Sequence, residues 1–199
     1  MIISFEGGEG VGKSSHCARL CSALDNKKLP WLTFREPGGS FLSEKIRPLF
    51  MSEGIDTMTE LLLVLASRRQ NIFEIINPAL DKGKIIIIDR FIDSTLVYQG
   101  IAGNLGLSEV KNIMKSCGTW IEPDITFILD IEPAKAFKRF IPGDKFENRD
   151  DGYHRKIRQA FLDIATDKRH RIINADRDRN EVSREIISIA EKIITENSM

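Results

Sequence analysis

Residues 7–14 combine glycines, a lysine and a hydroxyl side chain in a spacing that suits the binding of phosphate groups. They read G-x-x-x-x-G-K-S, with Gly7, Gly12, Lys13 and Ser14 at the fixed positions. Glycines let successive backbone N–H groups point at phosphate oxygens, and a following helix adds the positive end of its dipole. In this pattern the lysine reaches the β- and γ-phosphates of a nucleotide, and the hydroxyl ligates Mg²⁺. The segment therefore predicts a nucleotide-phosphate site, and an ordinary glycine-rich turn is the alternative.

A carboxylate and an arginine stand side by side where an apolar run ends. Asp89 and Arg90 directly follow the isoleucines at positions 85–88. An acidic residue in this position is typical of the carboxylate near the Mg²⁺ ion of phosphate-loop enzymes. The arginine fork matches phosphate oxygens with two parallel hydrogen bonds. We therefore expect Ser14 and Asp89 at the metal and Arg90 beside the phosphates.

Two further segments direct polar side chains towards a ligand. Residues 35–40, Arg-Glu-Pro-Gly-Gly-Ser, form a fixed turn after a predicted strand. The turn would present Arg35 at the edge of the sheet, although a turn without function is the alternative. A short predicted helix that ends near Gly100 carries four polar side chains, Ser94, Thr95, Tyr98 and Gln99. Together these groups offer hydrogen bonds to a small polar ligand.

A long predicted helix, from residue 57 to about residue 82, carries an arginine that we expect in a cleft. Glu60, Val64 and Arg68 are spaced by four residues and therefore share one face. The apolar residues 61–66 must be largely buried, so Arg68, one turn further on, is expected to reach inwards. The alternative is a surface arginine whose aliphatic stem packs on the protein while its charge stays in water.

The helical pattern is interrupted between residues 141 and 149 by proline, glycine and charged residues. Such a segment is typical of a mobile loop that folds over a site, and we expect a lid at about residues 141–150. A plain solvated connection between two helices is the alternative.

The elements that must position these residues alternate along the chain. Five short runs rich in β-branched and aromatic residues read as strands: residues 2–5, 31–35, 84–89, 125–131 and 171–175. Because helical patterns separate them, the sequence favours an α/β fold with a parallel sheet covered by helices on both faces. Sites in such sheets lie beyond the carboxyl ends of the strands. The predicted ligand-binding segments therefore meet at one edge of a single domain spanning residues 1–199, and the loop after Ala175 joins them there.

The composition limits the function classes. Zero formal net charge gives no indication of a nucleic-acid or membrane surface. The chain starts with no basic leader and with too short an apolar run for a signal peptide, so a cytoplasmic location is expected. Cys17 and Cys21 lack further ligands for a metal site and are interpreted as buried or half-buried thiols. The histidines, His16, His154 and His170, are interpreted as surface residues.

Together these motifs resemble the thymidylate kinases, nucleoside-monophosphate kinases of the phosphate-loop class. The resemblance rests on residues 5–14, on Arg-Glu-Pro-Gly-Gly at 35–39, and on Ile-Ile-Asp-Arg-Phe at 87–91 continuing through Ser94, Tyr98 and Gln99. Order and spacing agree over nearly the whole chain, and the second motif is typical of bacterial members. The resemblance implies a five-stranded parallel sheet, a homodimer, and transfer of the γ-phosphoryl group of ATP to dTMP with Mg²⁺ as cofactor.

The same resemblance assigns site residues. Those expected at ATP are Gly7, Gly8, Glu9, Gly10, Val11, Gly12, Lys13, Ser14, Ser15 and Ala175. Those expected at dTMP are Glu9, Arg35, Pro37, Arg68, Arg90, Ser94, Thr95, Tyr98 and Gln99. In relatives of this kind the two phosphate arginines are the counterparts of Arg35 and Arg90, the counterpart of Arg68 binds the thymine edge, and that of Tyr98 excludes a ribose 2′-hydroxyl. The expected catalytic residues are Lys13, Asp89, Arg90, Glu9 and Arg149.

Three positions depart from the family pattern. Many relatives carry an aromatic residue at the position of Val64 to stack on thymine, and Phe73 and Phe91 are the candidates to replace it here. Asn174 stands where an acidic residue is common before the adenine loop. Some relatives carry an arginine in the phosphate loop where this chain has Gly10, so a cation from the lid is expected instead. Arg149 is the first candidate, followed by Lys145 and Arg139.

Other nucleotide-binding classes fit less well. A kinase for another nucleotide or a nucleoside is the nearest alternative, and the motifs at 35–39 and 89–99 weigh against it. A regulatory GTPase needs an Asn-Lys-x-Asp motif, and Asn26-Lys27-Lys28-Leu29 fails at the last position. A nucleotide-binding protein without activity would have little need for Lys13, Ser14, Asp89 and Arg90 together.

Overall fold

A parallel β-sheet forms the centre of the fold, as the sequence predicts. The computed structural model describes residues 1–139 and 143–196, and within them five strands pair in the order β2-β3-β1-β4-β5. The strands are β1 (Ile2–Glu6), β2 (Trp31–Arg35), β3 (Ile85–Asp89), β4 (Ile125–Asp130) and β5 (His170–Asn174). All four strand pairings are parallel, so the carboxyl ends of β1, β2 and β3 lie side by side at one edge.

Helices connect the strands and cover both faces of the sheet. Their bounds are α1 (Lys13–Asn26), α2 (Phe41–Phe50), α3 (Thr57–Asn71), α4 (Asn77–Asp81), α5 (Ile92–Thr95), α6 (Leu107–Ser116), α7 (Pro133–Ala136), α8 (Asp151–Ile164) and α9 (Arg179–Glu196). Two π-helical segments, Ile72–Ile76 and Leu96–Ala102, continue α3 and α5, and a 3-10 turn, Phe137–Arg139, continues α7. The long helix predicted from residue 57 to 82 is therefore α3, a π-helical segment and α4 in succession.

Side-chain caps explain where several helices begin. Ser40, Asp56 and Asp150 each accept a backbone N–H bond from the first turn of α2, α3 and α8, which satisfies groups that have no partner inside the helix. Helix α6 begins without a side-chain cap. Gly106 occupies the cap position with a positive φ, and Ser108 lies within the first turn.

The isoleucine run of β3 is buried because both of its faces are covered. Ile85 and Ile87 pack with α1 and α9 on one side of the sheet. Ile86 and Ile88 pack with α3 and α6 on the other side. Alternate side chains of one strand therefore enter two separate hydrophobic cores. This packing fixes the register of the strand and hence the position of Asp89 at its carboxyl end.

The structure corrects one reading of the sequence and bears out another. His16, His154 and His170 are buried, not on the surface, since each finds a polar partner inside the fold. Cys17 and Cys21 are buried free thiols, as expected. Residues 141 and 142 of the predicted lid lie outside the described residues. Within residues 1–139 and 143–196, no helix has the combination of length and hydropathy needed to cross a membrane.

Candidate active site

The carboxyl ends of the strands open into a cleft with a volume of about 730 Å³. Nearly all of the predicted site residues line it. They are Glu9, Gly10, Val11, Gly12, Lys13, Ser14, Ser15, Arg35, Pro37, Arg68, Asp89, Arg90, Ser94, Thr95, Tyr98, Gln99 and Ala175. Gly7 and Gly8 line a smaller cavity beneath the phosphate loop instead. Arg149 lines neither cavity.

The phosphate loop has the backbone shape that its glycines allow. Gly7, Gly10 and Gly12 all have φ values between 67° and 130°, a region that other residues rarely adopt. A Cβ atom on Gly7 would lie 2.6 Å from the carbonyl oxygen of Leu129. The Lys13 ammonium donates to the carbonyl oxygens of Gly7 and Gly8, at 3.1 and 2.5 Å. Burial lowers the pKa of this ammonium to about 8.

Ser14 and Asp89 face each other across the floor of the cleft. The Ser14 hydroxyl donates to Asp89 Oδ2 at 2.5 Å. Hydroxyl and carboxylate oxygens suit Mg²⁺, which is commonly held by one or two protein oxygens together with phosphate oxygens and water. Among the described residues, no group of three or more His, Cys, Asp or Glu side chains could hold a metal without such a partner. The pair therefore fits a metal that arrives with a nucleotide.

Arg90 occupies an unusual backbone conformation that aims it into the cleft. Its φ is 67°, in the left-handed region that costs energy for a residue with a side chain. The backbone N–H of Arg90 donates to the carbonyl of Phe5, and that of Phe91 donates to Glu6 Oε1. The guanidinium donates to Glu9 Oε2 at 2.7 Å and to the carbonyl oxygen of Gly7 at 3.1 Å.

Glu6 is a buried carboxylate beneath this arginine turn, and the sequence analysis did not identify it. Its second oxygen accepts the Ser94 hydroxyl at 2.5 Å, and Ser94 Oγ in turn accepts from the Arg90 guanidinium at 3.3 Å. Burial, reinforced by the charge of Asp93, raises the pKa of Glu6 to about 7. Glu6 is the last residue of a buried strand and directly precedes the glycine loop, and this place in the sequence could have identified it.

Glu9 stays ionised for electrostatic reasons. Burial alone would favour its neutral form, but the nearby Arg90 and Lys13 charges and the Tyr98 hydroxyl lower its pKa to about 2. Tyr98 donates to Glu9 Oε1 at 2.8 Å, and its ring lies 5.1 Å below the guanidinium of Arg90. A carboxylate and two cations therefore stand together at the centre of the cleft, fixed by one another.

Arg68 reaches inwards from α3, as expected, and is only 1% exposed. Its Nε donates to Glu36 Oε2 at 2.7 Å, and one terminal nitrogen donates to Thr95 Oγ1 at 2.9 Å. The other terminal nitrogen is buried and has no hydrogen-bond partner within residues 1–139 and 143–196. Burial raises the pKa of Glu36, although the Arg68 charge acts against this change. Because Arg68 lines the cleft, this donor is available to an acceptor of a bound ligand.

The aromatic side chains near this arginine differ from those expected. Phe73 is 72% exposed, so it cannot cover a base, and Phe91 lies beneath Arg68 with its ring 5.0 Å from the guanidinium carbon. Phe50 from α2 and Phe146 from the predicted lid line the cleft together with Val64. Phe73 was therefore the wrong candidate, because its exposure is not visible in the spacing of one helix, whereas Phe91 lines the cleft and its contact with a base stays a prediction.

The remaining predicted residues divide between the two ends of the cleft. Arg35 forms an ion pair with Glu44 at 3.2 Å, at the exposed margin. Gln99 donates to Glu60 Oε2 at 3.1 Å. At the far end, the carbonyl oxygen of Ala175 accepts two bonds from Arg139, both of 3.2 Å.

The three candidate cations for the lid are placed differently from one another. Arg149 lies over the ring of Tyr153, at 5.7 Å, and does not line the cleft. Lys145 forms an ion pair with Glu60. Arg139 lines the cleft from the side of Ala175. The assignment of Arg149 to catalysis thus stays a prediction.

Comparisons with known proteins agree on one family. The family model described as thymidylate kinase matches residues 5–186. A thymidylate kinase of Symbiobacterium thermophilum is 35% identical over 98% of this chain and 94% of its own length. One of Lactobacillus helveticus is 38% identical over 98% and 97%. A crystal structure of thymidylate kinase from Ehrlichia chaffeensis matches with a TM-score of 0.77 and 34% identity, covering 96% of this chain and 98% of that one.

Proposed function

The chain belongs to the thymidylate kinase family, and we propose from this premise that the cleft binds ATP at one end and dTMP at the other. As a nucleoside-monophosphate kinase of this family, it transfers the γ-phosphoryl group of ATP to dTMP, giving dTDP and ADP. The observation that carries the assignment of the two ends is Arg68, a side chain that lines the cleft and has one buried terminal nitrogen without a hydrogen-bond partner among the described residues.

At the ATP end, the phosphate loop and the start of α1 surround the phosphates. Lys13 would exchange its bonds to the Gly7 and Gly8 carbonyls for bonds to phosphate oxygens, which would also favour its charged form. Ser14 and Asp89 would hold Mg²⁺, which neutralises phosphate charge when bound. The loop after β5, around Ala175, would border the adenine, with Arg139 beside it.

At the dTMP end, Arg90 and Arg35 would bind the phosphate, and Arg68 would bind the base. The terminal nitrogen of Arg68 that has no partner among the described residues would donate to a carbonyl oxygen of thymine, while Thr95 and Glu36 hold the other two nitrogens in place. The Tyr98 hydroxyl donates to Glu9, which leaves the ring of Tyr98 to pack against the deoxyribose. Pro37, Ser94 and Gln99 complete the wall of this end.

The geometry explains how the reaction needs no strong base. Phosphoryl transfer requires little covalent work from the protein, so positioning and charge supply most of the rate enhancement. Lys13 and Arg90 are held by short buried contacts between the two ends of the cleft, where the γ-phosphoryl group would leave the β,γ-bridging oxygen of ATP and bond to a phosphate oxygen of dTMP, with negative charge building on the bridging oxygen. The contacts with Glu9 and Gly7 fix the orientation of Arg90 before the substrates bind, so little reorganisation of this side chain is needed during the reaction.

A cation from the lid completes the proposed machinery. Gly10 supplies no charge in the phosphate loop, so a residue of the segment after β4 must do so. Arg149 remains the first candidate, although it now contacts Tyr153, because a loop over a site can change its position when ATP binds. Lys145 is engaged with Glu60 at the dTMP end and Arg139 with Ala175 at the ATP end. We infer one kinase domain with its lid at about residues 141–150.

A homodimer is the proposed assembly. Phe41 and Phe73 are 80% and 72% exposed, and Leu42, Leu49 and Leu62 are also exposed on α2 and α3. Large apolar side chains rarely gather on a surface that stays in water, so this face of the two packed helices suits a second copy of the chain. A cytoplasmic location agrees with the free buried thiols of Cys17 and Cys21.

An assay of ADP release tests the assignment directly. ATP and Mg²⁺ are supplied with dTMP, dUMP, dCMP or dAMP as the acceptor, and kcat/KM is compared. We expect the highest value for dTMP and loss of turnover when EDTA removes the metal. A higher kcat/KM for another monophosphate would contradict the proposed base site. Turnover that persists in EDTA would contradict the role of Ser14 and Asp89.

A further inference from the structure

The base end of the cleft has little apolar surface on α3, the helix that carries Arg68. Val64 lies one turn before Arg68 and lines the cleft, but its side chain is too small to cover the face of a pyrimidine ring. An aromatic base in a protein pocket gains most of its binding affinity from a flat apolar surface that excludes water from the face of the ring. Phe91 also lines the cleft, but its ring is fully buried beneath the Arg68 guanidinium, which leaves the wall to another part of the chain.

Two phenylalanines from distant parts of the chain stand where the wall is needed. Phe50, at the end of α2, and Phe146, in the lid, have ring centroids 5.6 Å apart and planes inclined by 28°. The Phe146 ring also meets Tyr98 edge-on at 5.5 Å. Both phenylalanines line the cleft. The two rings are already in contact, so a base packs against the surface that they jointly present and does not enter between them.

Short contacts hold Phe146 in this position. The Lys145 ammonium forms an ion pair with Glu60 Oε1 at 2.6 Å and donates to the carbonyl of Ser52 at 3.2 Å. It also lies 5.2 Å from the ring centre of Phe50 and 4.9 Å from that of Phe146. The Lys145 and Glu60 side chains are 8% and 13% exposed, so the pair is largely shielded from water and salt.

Glu60 connects this lid contact to the polar part of the base site. Its second oxygen accepts the Gln99 amide at 3.1 Å, and Gln99 lines the cleft beside Thr95. One carboxylate of α3 therefore fixes both a lid lysine and a side chain of the base site. Displacing the lid would remove the Phe146 ring from the cleft and would leave the Glu60 carboxylate without the Lys145 ammonium.

We propose that Phe146, seated on Phe50, is the aromatic wall of the pyrimidine site and determines the affinity for dTMP. The inference rests on the proposed placement of dTMP beside Arg68. It assigns to the lid a task at the monophosphate, in addition to any task at the γ-phosphate. The ion pair between Lys145 and Glu60 holds the lid in the position in which Phe146 would contact the base. Occupation of the dTMP site therefore favours the closed lid.

The test compares two variants of Phe146 with a rescue on α3. Phe146→Ala is expected to raise KM for dTMP roughly tenfold, with KM for ATP unchanged. Phe146→Leu keeps part of the apolar wall and should fall between this variant and the wild type. Val64→Phe alone should not improve KM for dTMP, because Phe50 and Phe146 already fill the space. In the Phe146→Ala background, the same change should recover most of the lost affinity.

Three outcomes would overturn the inference. The first is an unchanged KM for dTMP in Phe146→Ala, and the second is a rise in KM for ATP alone in that variant. The third is a double variant, Phe146→Ala with Val64→Phe, that has the unfolding midpoint of the wild type but does not recover the affinity for dTMP. Leu107→Ala, at an exposed position that does not line the cleft, is the control for a general loss of apolar surface. Failure of the proposed placement would appear differently, since the wild type itself would then not prefer dTMP among the monophosphates.

Discussion

The end of the cleft proposed for the phosphates and the end proposed for the base are built in different ways. At the phosphate end, two short segments, residues 7–15 and 89–90, supply nearly all of the groups, and several of these are backbone atoms. At the base end, the groups come from α2, α3, α5 with its π-helical extension, and the lid. A site made of contiguous backbone keeps its shape through local geometry. A site made of distant side chains depends on the packing of the whole fold, so substitutions at the two ends should have different consequences.

The largest expected effect is at the base end, where Arg68 and Glu36 form a buried ion pair. Arg68→Ala leaves the Glu36 carboxylate buried without its cation, which should lower the free energy of unfolding by about 3–5 kcal/mol. It should also raise KM for dTMP. Denaturant unfolding and steady-state kinetics measure the two effects separately.

A double variant separates stability from binding at this end. Arg68→Met combined with Glu36→Gln removes both charges, so most of the stability should return while the affinity for dTMP should not. An Arg68→Ala variant with the stability of the wild type would show that the pair does not hold the base end together.

At the phosphate end the expected effect is on catalysis and not on folding. Lys13→Ala and Arg90→Ala should each lower kcat about a hundredfold, or about 3 kcal/mol, because each charge acts mainly in the transition state. The midpoint of unfolding should change little. Arg155→Ala, at an exposed position on α8, is the control for the loss of a positive charge. Near-normal turnover in either variant would reject the role of that residue.

The buried Glu6 allows a test of the phosphate end by pH. Its pKa in the folded protein is about 7, above the value of 4.5 expected for an unfolded chain. The folded state therefore binds more protons between these values, and stability falls as the pH rises from about 5 to 8, by about 2 kcal/mol. Glu6→Gln imitates the protonated carboxyl, so this part of the pH dependence should disappear. Equal pH dependence in both proteins, measured by urea unfolding, would contradict the raised pKa.

The smallest effects should separate the two tasks of the lid. Arg149→Ala should lower kcat by about tenfold and leave KM for dTMP nearly unchanged, since this residue is proposed to meet the γ-phosphate. Lys145→Ala should do the reverse, because Lys145 holds Phe146 at the base end. Steady-state kinetics with each substrate varied in turn distinguish the two patterns. A full kcat in Arg149→Ala would transfer the catalytic task to Lys145 or Arg139.

The parts of the site that the sequence determined are those in which neighbours along the chain act together. The spacing of Gly7, Gly12, Lys13 and Ser14 fixes a loop whose ligands are its own backbone, so the pattern itself predicts the geometry. The isoleucine run predicted β3 to within one residue, and the strand delivers Asp89 to the sheet edge. The parallel sheet follows from the alternation of strands and helices, because short connections leave few other arrangements.

Only the tertiary structure determined which distant residues contact one another across the fold. Nothing near Glu6 in the sequence shows that its carboxylate caps the arginine turn of β3, and nothing near Arg68 identifies Glu36 as its counterion. Phe50 and Phe146 are separated by 96 residues and meet because α2 and the lid approach the same helix. The periodicity of one helix reports which face is apolar, not what will cover it. Contacts between distant segments depend on how all of the elements pack, and pattern within a single element does not contain that information.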